Sequence, residues 1–229
     1  MIFFLYLAKT LGISRREAKL LIKKTNELFV NGETIRDPNY LINKEDRVFY
    51  QENELKYQEY FYVLLNKPQG YLCSLKDELY PSILNLIKDE KLRKRLKIVG
   101  RLDVDTEGLI ILTDDGDFIH QMTSPKRDVK KKYYIETNSN YSEEDKLSFS
   151  KGVIISDEKK LKYNTKEALL EIIEDNKAYL TITEGRFHQV KKMHKAIGKD
   201  VLFLKRISVG EFHLGDLKTG EYLIIDNKK

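Results

Sequence analysis

Apolar residues at Phe4, Leu7, Ala8 and Leu11 recur with helical spacing, and Gly12 follows as a C-terminal stop. Ser14-Arg15-Arg16-Glu17 then has the capping-box pattern, in which the serine oxygen accepts from a free backbone N–H while the glutamate reaches back. A second helix is therefore predicted, with Ala18, Leu21 and Ile22 as its buried face. The pattern next turns extended. Phe29 to Ile35 carries Asn31-Gly32 at its centre, a hairpin signal, and Arg47-Val48-Phe49-Tyr50 predicts a further short strand. Gln51 to Glu59 is polar and lacks apolar periodicity, which predicts a linker. The chain thus divides into a small basic module, 1–55, and a larger domain, 56–229.

In the larger part, Tyr60 to Leu65 reads as a buried strand running into Asn66-Lys67-Pro68-Gln69-Gly70, where Pro68 and Gly70 enforce a turn. Further strands are predicted at 108–113, 132–137, 168–173, 178–183 and 222–226, with helices near 82–95, 143–150 and 187–197. Phe187, Val190, Met193 and Ile197 form the buried stripe of the last helix. Strands dominate and connections are short, so the expected class is α+β, with a mixed, largely antiparallel sheet flanked by helices.

Composition narrows the function classes. Hydrophobic residues make up 41% of the 229 positions, and no apolar run reaches the roughly 18 residues that cross a bilayer. The apolar start Met1 to Leu7 lacks a basic leader and a cleavage site, so a cytoplasmic protein without a membrane partner is expected. Cys73 is the single cysteine, which excludes an intrachain disulfide, a redox pair and a cysteine-based zinc cage. The net charge of +5 rests on 41 basic against 36 acidic residues, so its distribution matters more than its size. Basic residues gather at Arg15, Arg16, Lys19, Lys23 and Lys24, at 91–97, at 126–132, and at Lys191, Lys192 and Lys195. One such patch reads as a solvated face; four together favour a polyanion. Arg16, Lys19 and Lys23 fall on one side of their helix, which could follow a phosphate backbone.

Three segments could carry chemistry. Residues 100–117 hold Asp103, Asp105, Glu107, Asp114, Asp115 and Asp117. A divalent metal is the first thought, but Asp114 to Asp117 lacks the EF-hand spacing, and a tight turn at Asp115-Gly116 is preferred; no metal site is expected. Arg101 and Asp103, two apart, face one side if extended, as either a reactive pair or a surface ion pair, and spacing leaves both open. Lys131 and Tyr133 likewise share a face of a strand. An aromatic ring beside cations can stack an unpaired base, worth about 1–3 kcal/mol, and a core tyrosine fits equally well. In Glu184 to Met193 a strand ends at Gly185 and a helix begins. His188 and His194 lack a metalloprotease pattern and read as ordinary polar residues on a basic helix. The sequence shows no phosphate loop, dinucleotide fingerprint or nucleophile elbow.

Taken together, Leu65 to Ser74, Gly100-Arg101-Leu102-Asp103 with its continuation to Asp117, Thr123-Ser124-Pro125, Lys131-Lys132-Tyr133 and Glu184 to Met193 resemble, in order, the motifs of the RsuA-type ribosomal RNA pseudouridine synthases. The N-terminal module is similar to an S4-like (αL) RNA-binding domain. It departs from that pattern in having Ile2-Phe3-Phe4-Leu5 where an Arg-Leu-Asp-Lys run is usual, and Leu28 where a basic residue is common. The resemblance implies a catalytic set of Asp103 as nucleophile, Arg186 as its charge partner, Tyr133 stacked on the target base and Arg101 filling the place of the extruded base. It implies an RNA-binding set of Arg15, Arg16, Lys19, Lys23, Lys67, Lys131, His188, Gln189, Val190, Lys191 and Lys192, with Val190 as an apolar floor. No cofactor is implied, because the isomerisation changes no oxidation state. The expected partner is 16S ribosomal RNA or a small-subunit assembly intermediate, bound by a monomer. The alternatives are a 23S enzyme of the same family and a non-catalytic S4-domain assembly factor.

Overall fold

The computed structural model describes residues 1–43, 45–57 and 60–225. It divides into two compact units, Met1–Glu59 and Tyr60–Lys229.

In the first unit, helices α1 (Phe3–Leu11) and α2 (Arg15–Lys24) pack with the strands β1 (Leu28–Val30), β2 (Val48–Tyr50) and β3 (Asn53–Leu55). Helix α1 stops where Gly12 turns left-handed at φ 68°, its N–H bonded to the Ala8 carbonyl. The capping box forms: Glu17 N–H donates to Ser14 Oγ at 3.2 Å, and Ser14 N–H donates to Glu17 Oε2 at 2.8 Å. Phe3, Tyr6, Leu7, Ala18, Ile22, Leu28, Val30 and Val48 make the core. Asn31 (φ 51°) and Gly32 (φ 87°) do form a tight turn, closed by Val30–Glu33 backbone bonds of 2.8 and 3.0 Å. The second arm, however, goes no further than that bridge, and β1 pairs instead with β2. The expected linker is also shortened, because Asn53–Leu55 continues the sheet opposite β2, while 58–59 lie outside the described residues.

The second unit is built on a mixed sheet. Among the described residues its central order is β10 (Leu169–Glu174), β11 (Lys177–Ile182), β7 (Lys131–Thr137), β12 (Val201–Val209), β6 (Glu107–Thr113), β4 (Tyr62–Lys67) and β14 (Tyr222–Ile225). The short β5 (Lys97–Val99) and β13 (Phe212–His213) attach to β6 and β12, and β8 (Ile154–Ser156) pairs with β9 (Lys162–Asn164) separately. Only β12 and β6 run parallel among these pairings. Residue 226, expected at the end of the last strand, lies outside the described residues. Strand β6 is buried on both faces: Leu109 and Ile111 join one cluster with Tyr62, Val99 and Phe118, and Ile110 and Leu112 join another with Val63, Ile83 and Ile87. That accounts for its continuous apolar run in place of an alternation.

The helices are α3 (Glu90–Arg95), α4 (Gly116–Thr123), α5 (Glu143–Lys151) and α6 (Gln189–Ala196). The single helix expected over 82–95 is broken, a 3-10 turn at Ile83–Leu86 preceding α3, whose start Asp89 caps. Asp115-Gly116 is not a free turn. Asp115 caps α4 by accepting from Phe118 N–H at 3.0 Å, and it also accepts from Tyr62 Oη at 2.7 Å. Asp114 accepts from Phe61 N–H at 2.8 Å and pairs with Arg95 at 2.5 Å. These two carboxylates thus hold the sheet end to its neighbours.

Candidate active site

The sheet register aligns one residue from each of five adjacent strands. Leu180 pairs with Tyr133, Tyr133 with Arg206, Arg206 with Gly108, and Gly108 with Lys67. The loop 100–106 joins β5 to β6 at this row, and the row fixes its shape. Lys67 is fully buried and its ammonium donates to the carbonyls of Pro68 at 3.0 Å, Val104 at 3.2 Å and Thr106 at 2.8 Å. Arg206, 3% exposed, donates from Nε to the Leu109 carbonyl at 2.8 Å and from Nη1 to the Arg101 carbonyl at 3.4 Å. Gly70 N–H donates to the Val104 carbonyl at 2.8 Å, and Leu102 N–H to Cys73 Sγ at 3.3 Å. Burial pushes the Lys67 ammonium below the ordinary lysine range.

Asp103 stands on this pinned loop with its side chain 26% exposed. Among the described residues it faces the His188 imidazole, Nε2 to Oδ1 at 3.5 Å, and pairs with Lys191, Nζ to Oδ2 at 3.6 Å. Lys191 also meets Asp105 Oδ1 at 2.5 Å. Burial raises the Asp105 carboxyl, but the Lys191 hydrogen bond and charge outweigh it and hold it below the ordinary range. His188 precedes α6 in the left-handed region at φ 52°. Tyr133, 6% exposed, shares one buried cluster with Leu102, Val190 and Met193.

Several expected positions are placed differently. Arg101 is exposed, segment 101–103 lies outside the strands, and among the described residues no ion pair joins Arg101 to Asp103. Arg186 lies with its guanidinium 4.0 Å from the Tyr163 ring centroid and 4.0 Å from Glu184, its side chain 55% exposed. Lys67, expected on RNA, is a buried clamp, since its three carbonyl bonds and full burial leave no ammonium for a phosphate. Gln189, likewise expected on RNA, is 3% exposed and struts the turn: it accepts from Arg186 N–H at 2.9 Å and donates to Glu184 Oε2 at 2.8 Å. Lys131 turns back to the Val129 carbonyl at 2.9 Å, and burial, helped by Arg206, lowers its ammonium to about 8. Val190 is 5% exposed, while Lys192 keeps an outer position and reaches the Ser156 carbonyl at 3.0 Å. His194 is fully buried, with Nδ1 2.8 Å from the Val190 carbonyl and Nε2 2.9 Å from Tyr141 Oη, so it is a core residue and not a surface one. Arg15, Arg16, Lys19 and Lys23 line, with Leu20, one concavity of about 400 Å³ on α2.

Two residues around Asp103 are given no role by the sequence reading. Arg206 lies on β12, whose central Lys205-Arg206 interrupts the apolar pattern that would have revealed the strand. Gly108 matters because its φ is 107° and a Cβ there would meet the Arg206 backbone; the signal available was a glycine opening an apolar run.

Residues 61–196 match the RNA pseudouridylate synthase family. The Ribosomal small subunit pseudouridine synthase A of Escherichia coli (strain K12) is 41% identical over 219 residues, covering 95% of this chain and 93% of its own. An uncharacterised RNA pseudouridine synthase of Bacillus subtilis (strain 168), YtzG, is 37% identical, covering 91% and 88%. A crystal structure of a pseudouridylate synthase is 36% identical, covers 97% of this chain and 95% of its own, and superposes with a TM-score of 0.69. On this identity, over nearly the whole of both chains, the chain belongs to the RNA pseudouridylate synthase family, in its RsuA-type branch.

Proposed function

We propose that the protein isomerises uridine to pseudouridine in 16S ribosomal RNA, with Asp103 as the nucleophile. The observation that carries this reading is the Asp103 carboxylate itself: part-exposed, on a loop fixed by buried Lys67 and Arg206, with the His188 imidazole at 3.5 Å and the Lys191 ammonium at 3.6 Å. The small-subunit target rests on relatives such as the E. coli enzyme, which bears that name.

The reaction breaks the N1–C1′ glycosidic bond, turns the base and forms a C5–C1′ bond, with the C5 proton lost and N1 protonated. An ionised carboxylate serves either by adding to the base or by capturing the sugar carbon. The Lys191 ammonium, 3.6 Å away, supplies a positive charge beside it. Arg186 takes up that role in the occupied site by turning from Tyr163 toward Asp103, while Tyr133 contacts the turned-out base above the apolar floor around Val190. Exposed Arg101 fills the gap that the base leaves, since a stacked base is out of reach of the carboxylate. The first unit acts as an S4-like domain, the basic side of α2 following phosphates. The enzyme works as a monomer in the cytoplasm, RNA supplying the partner surface.

The test is tritium release from C5-labelled uridine in 16S ribosomal RNA, with Asp103→Asn as control. Wild type releases tritium and the variant does not; equal release overturns the assignment of Asp103. Mapping pseudouridine in ribosomal RNA from a deletion strain settles the target: an unchanged small subunit with a uridine restored in 23S RNA would move the enzyme to the large subunit.

A further inference from the structure

The sequence pattern places Phe187 in the buried stripe of α6, yet its ring is 47% exposed. It is not a stray surface residue. The ring stacks on the imidazole of His188 with centroids 3.7 Å apart and planes 20° from parallel. That same imidazole stands 3.5 Å from Asp103. The Lys192 ammonium lies 5.3 Å from the Phe187 centroid, and His188, Lys191, Lys192 and Lys195 line an adjoining cleft of about 310 Å³ with Asp200 and Val201.

A single exposed apolar side chain is ordinary on a protein surface. A flat π surface stacked on the imidazole that faces Asp103, with the Lys192 ammonium 5.3 Å from its centroid, is a different combination. Its complement is a flat, electron-rich ring carrying an anion, which is a nucleotide. Deepening the function proposed above, we infer that Phe187 and His188 form a stacking platform for an unpaired nucleobase next to the target uridine, with Lys192 taking its phosphate and Lys195 held back by its pairing with Asp200 at 2.8 Å. Turning the target base out of its stack strips its neighbours of a stacking partner. A protein ring offered to one of them offsets that loss and sets the strand's position relative to Asp103. Specificity then follows from the stacking strength of the neighbouring base and not from its hydrogen-bonding edge.

The chain contains no tryptophan, so Phe187→Trp installs a single tryptophan on the platform, which is excited selectively beyond the absorption of the tyrosines. Its fluorescence is titrated with 16S ribosomal RNA, and Phe187→Leu, apolar but not aromatic, is assayed for pseudouridine formation on the same RNA. Stacking is worth about 1–3 kcal/mol per base, so KM for Phe187→Leu rises roughly 5- to 150-fold while kcat changes far less. Tryptophan emission is quenched on binding. An unchanged KM for Phe187→Leu, or an unquenched tryptophan in a variant that still binds RNA, overturns the platform. So does a Phe187→Leu enzyme that is normal on naked RNA and deficient only on protein-containing particles, since the ring would then contact protein. Absence of pseudouridine with wild type refutes the proposed function instead, and the quenching result still decides the platform.

Discussion

Gly108 lies so close to Arg206 across the parallel strand pair that a Cβ on the glycine would stand 2.2 Å from the arginine's carbonyl oxygen and 2.6 Å from its nitrogen. The glycine also holds φ at 107°, a conformation that L side chains rarely adopt. Gly108→Ala is therefore expected to cost about 2–4 kcal/mol and lower Tm by roughly 5–15 °C. Gly100→Ala is the comparison: φ is 73°, but nothing lies within 4 Å of its Cβ position. Its cost should stay near 1–2 kcal/mol. Equal melting shifts for the two would show that the contact with Arg206 is unimportant.

Arg186 separates activity from stability. Its contacts with Tyr163 and Glu184 are at the surface, its side chain 55% exposed. Such contacts are worth about 0–1 kcal/mol. Arg186→Met should leave the urea midpoint nearly unchanged and reduce kcat about 100-fold or more through loss of charge at Asp103. Loss of both together in equal proportion would mean that the arginine is a structural strut.

His194 makes acid the weak side of the fold. It is fully buried and its pKa falls from 6.5 to about 4, because desolvation penalises the charged ring. Between these values the unfolded chain binds a proton that the folded chain does not, so stability is complete above pH 6.5 and is lost as pH falls toward 4. This one group contributes up to about 1.4 kcal/mol per pH unit. His194→Gln should flatten the acid limb of stability against pH in urea titrations, and an acid limb as steep as wild type would exclude His194 as its source.

RNA binding should weaken steeply with salt, as phosphate contacts release condensed counterions. Arg16→Gln with Lys19→Gln, on the basic side of α2, is expected to lower the slope of log K against log salt by about two. An unaltered slope would remove α2 from the phosphate contacts.

How far the sequence could be read depended on which residues spoke locally. The capping box at Ser14 and Glu17 and the buried run of β6 are local signals, and both elements stand where they were expected. Strand β12 was missed because Arg206 is charged and central, and only its two carbonyl partners at Leu109 and Arg101, far away in sequence, explain its burial. Lys67 misled for the same reason: a lysine beside a proline turn looks exposed until its three carbonyl acceptors are known. Asp103 could be singled out by its companions, but spacing could not say that His188 and Lys191 would be its neighbours, or that Phe187 would leave the helix's buried stripe.

The Lys67 clamp links the shape of the Asp103 loop to completion of the fold. The carboxylate loop takes its shape from an ammonium on β4 and a guanidinium on β12, strands far apart in sequence that flank β6 in the sheet. A nascent or partly opened chain that has yet to add β12 would lack one of those two anchors. Such a chain would hold the Asp103 loop through Lys67 alone, so the loop reaches its final shape only when a strand much further along the chain has joined the sheet.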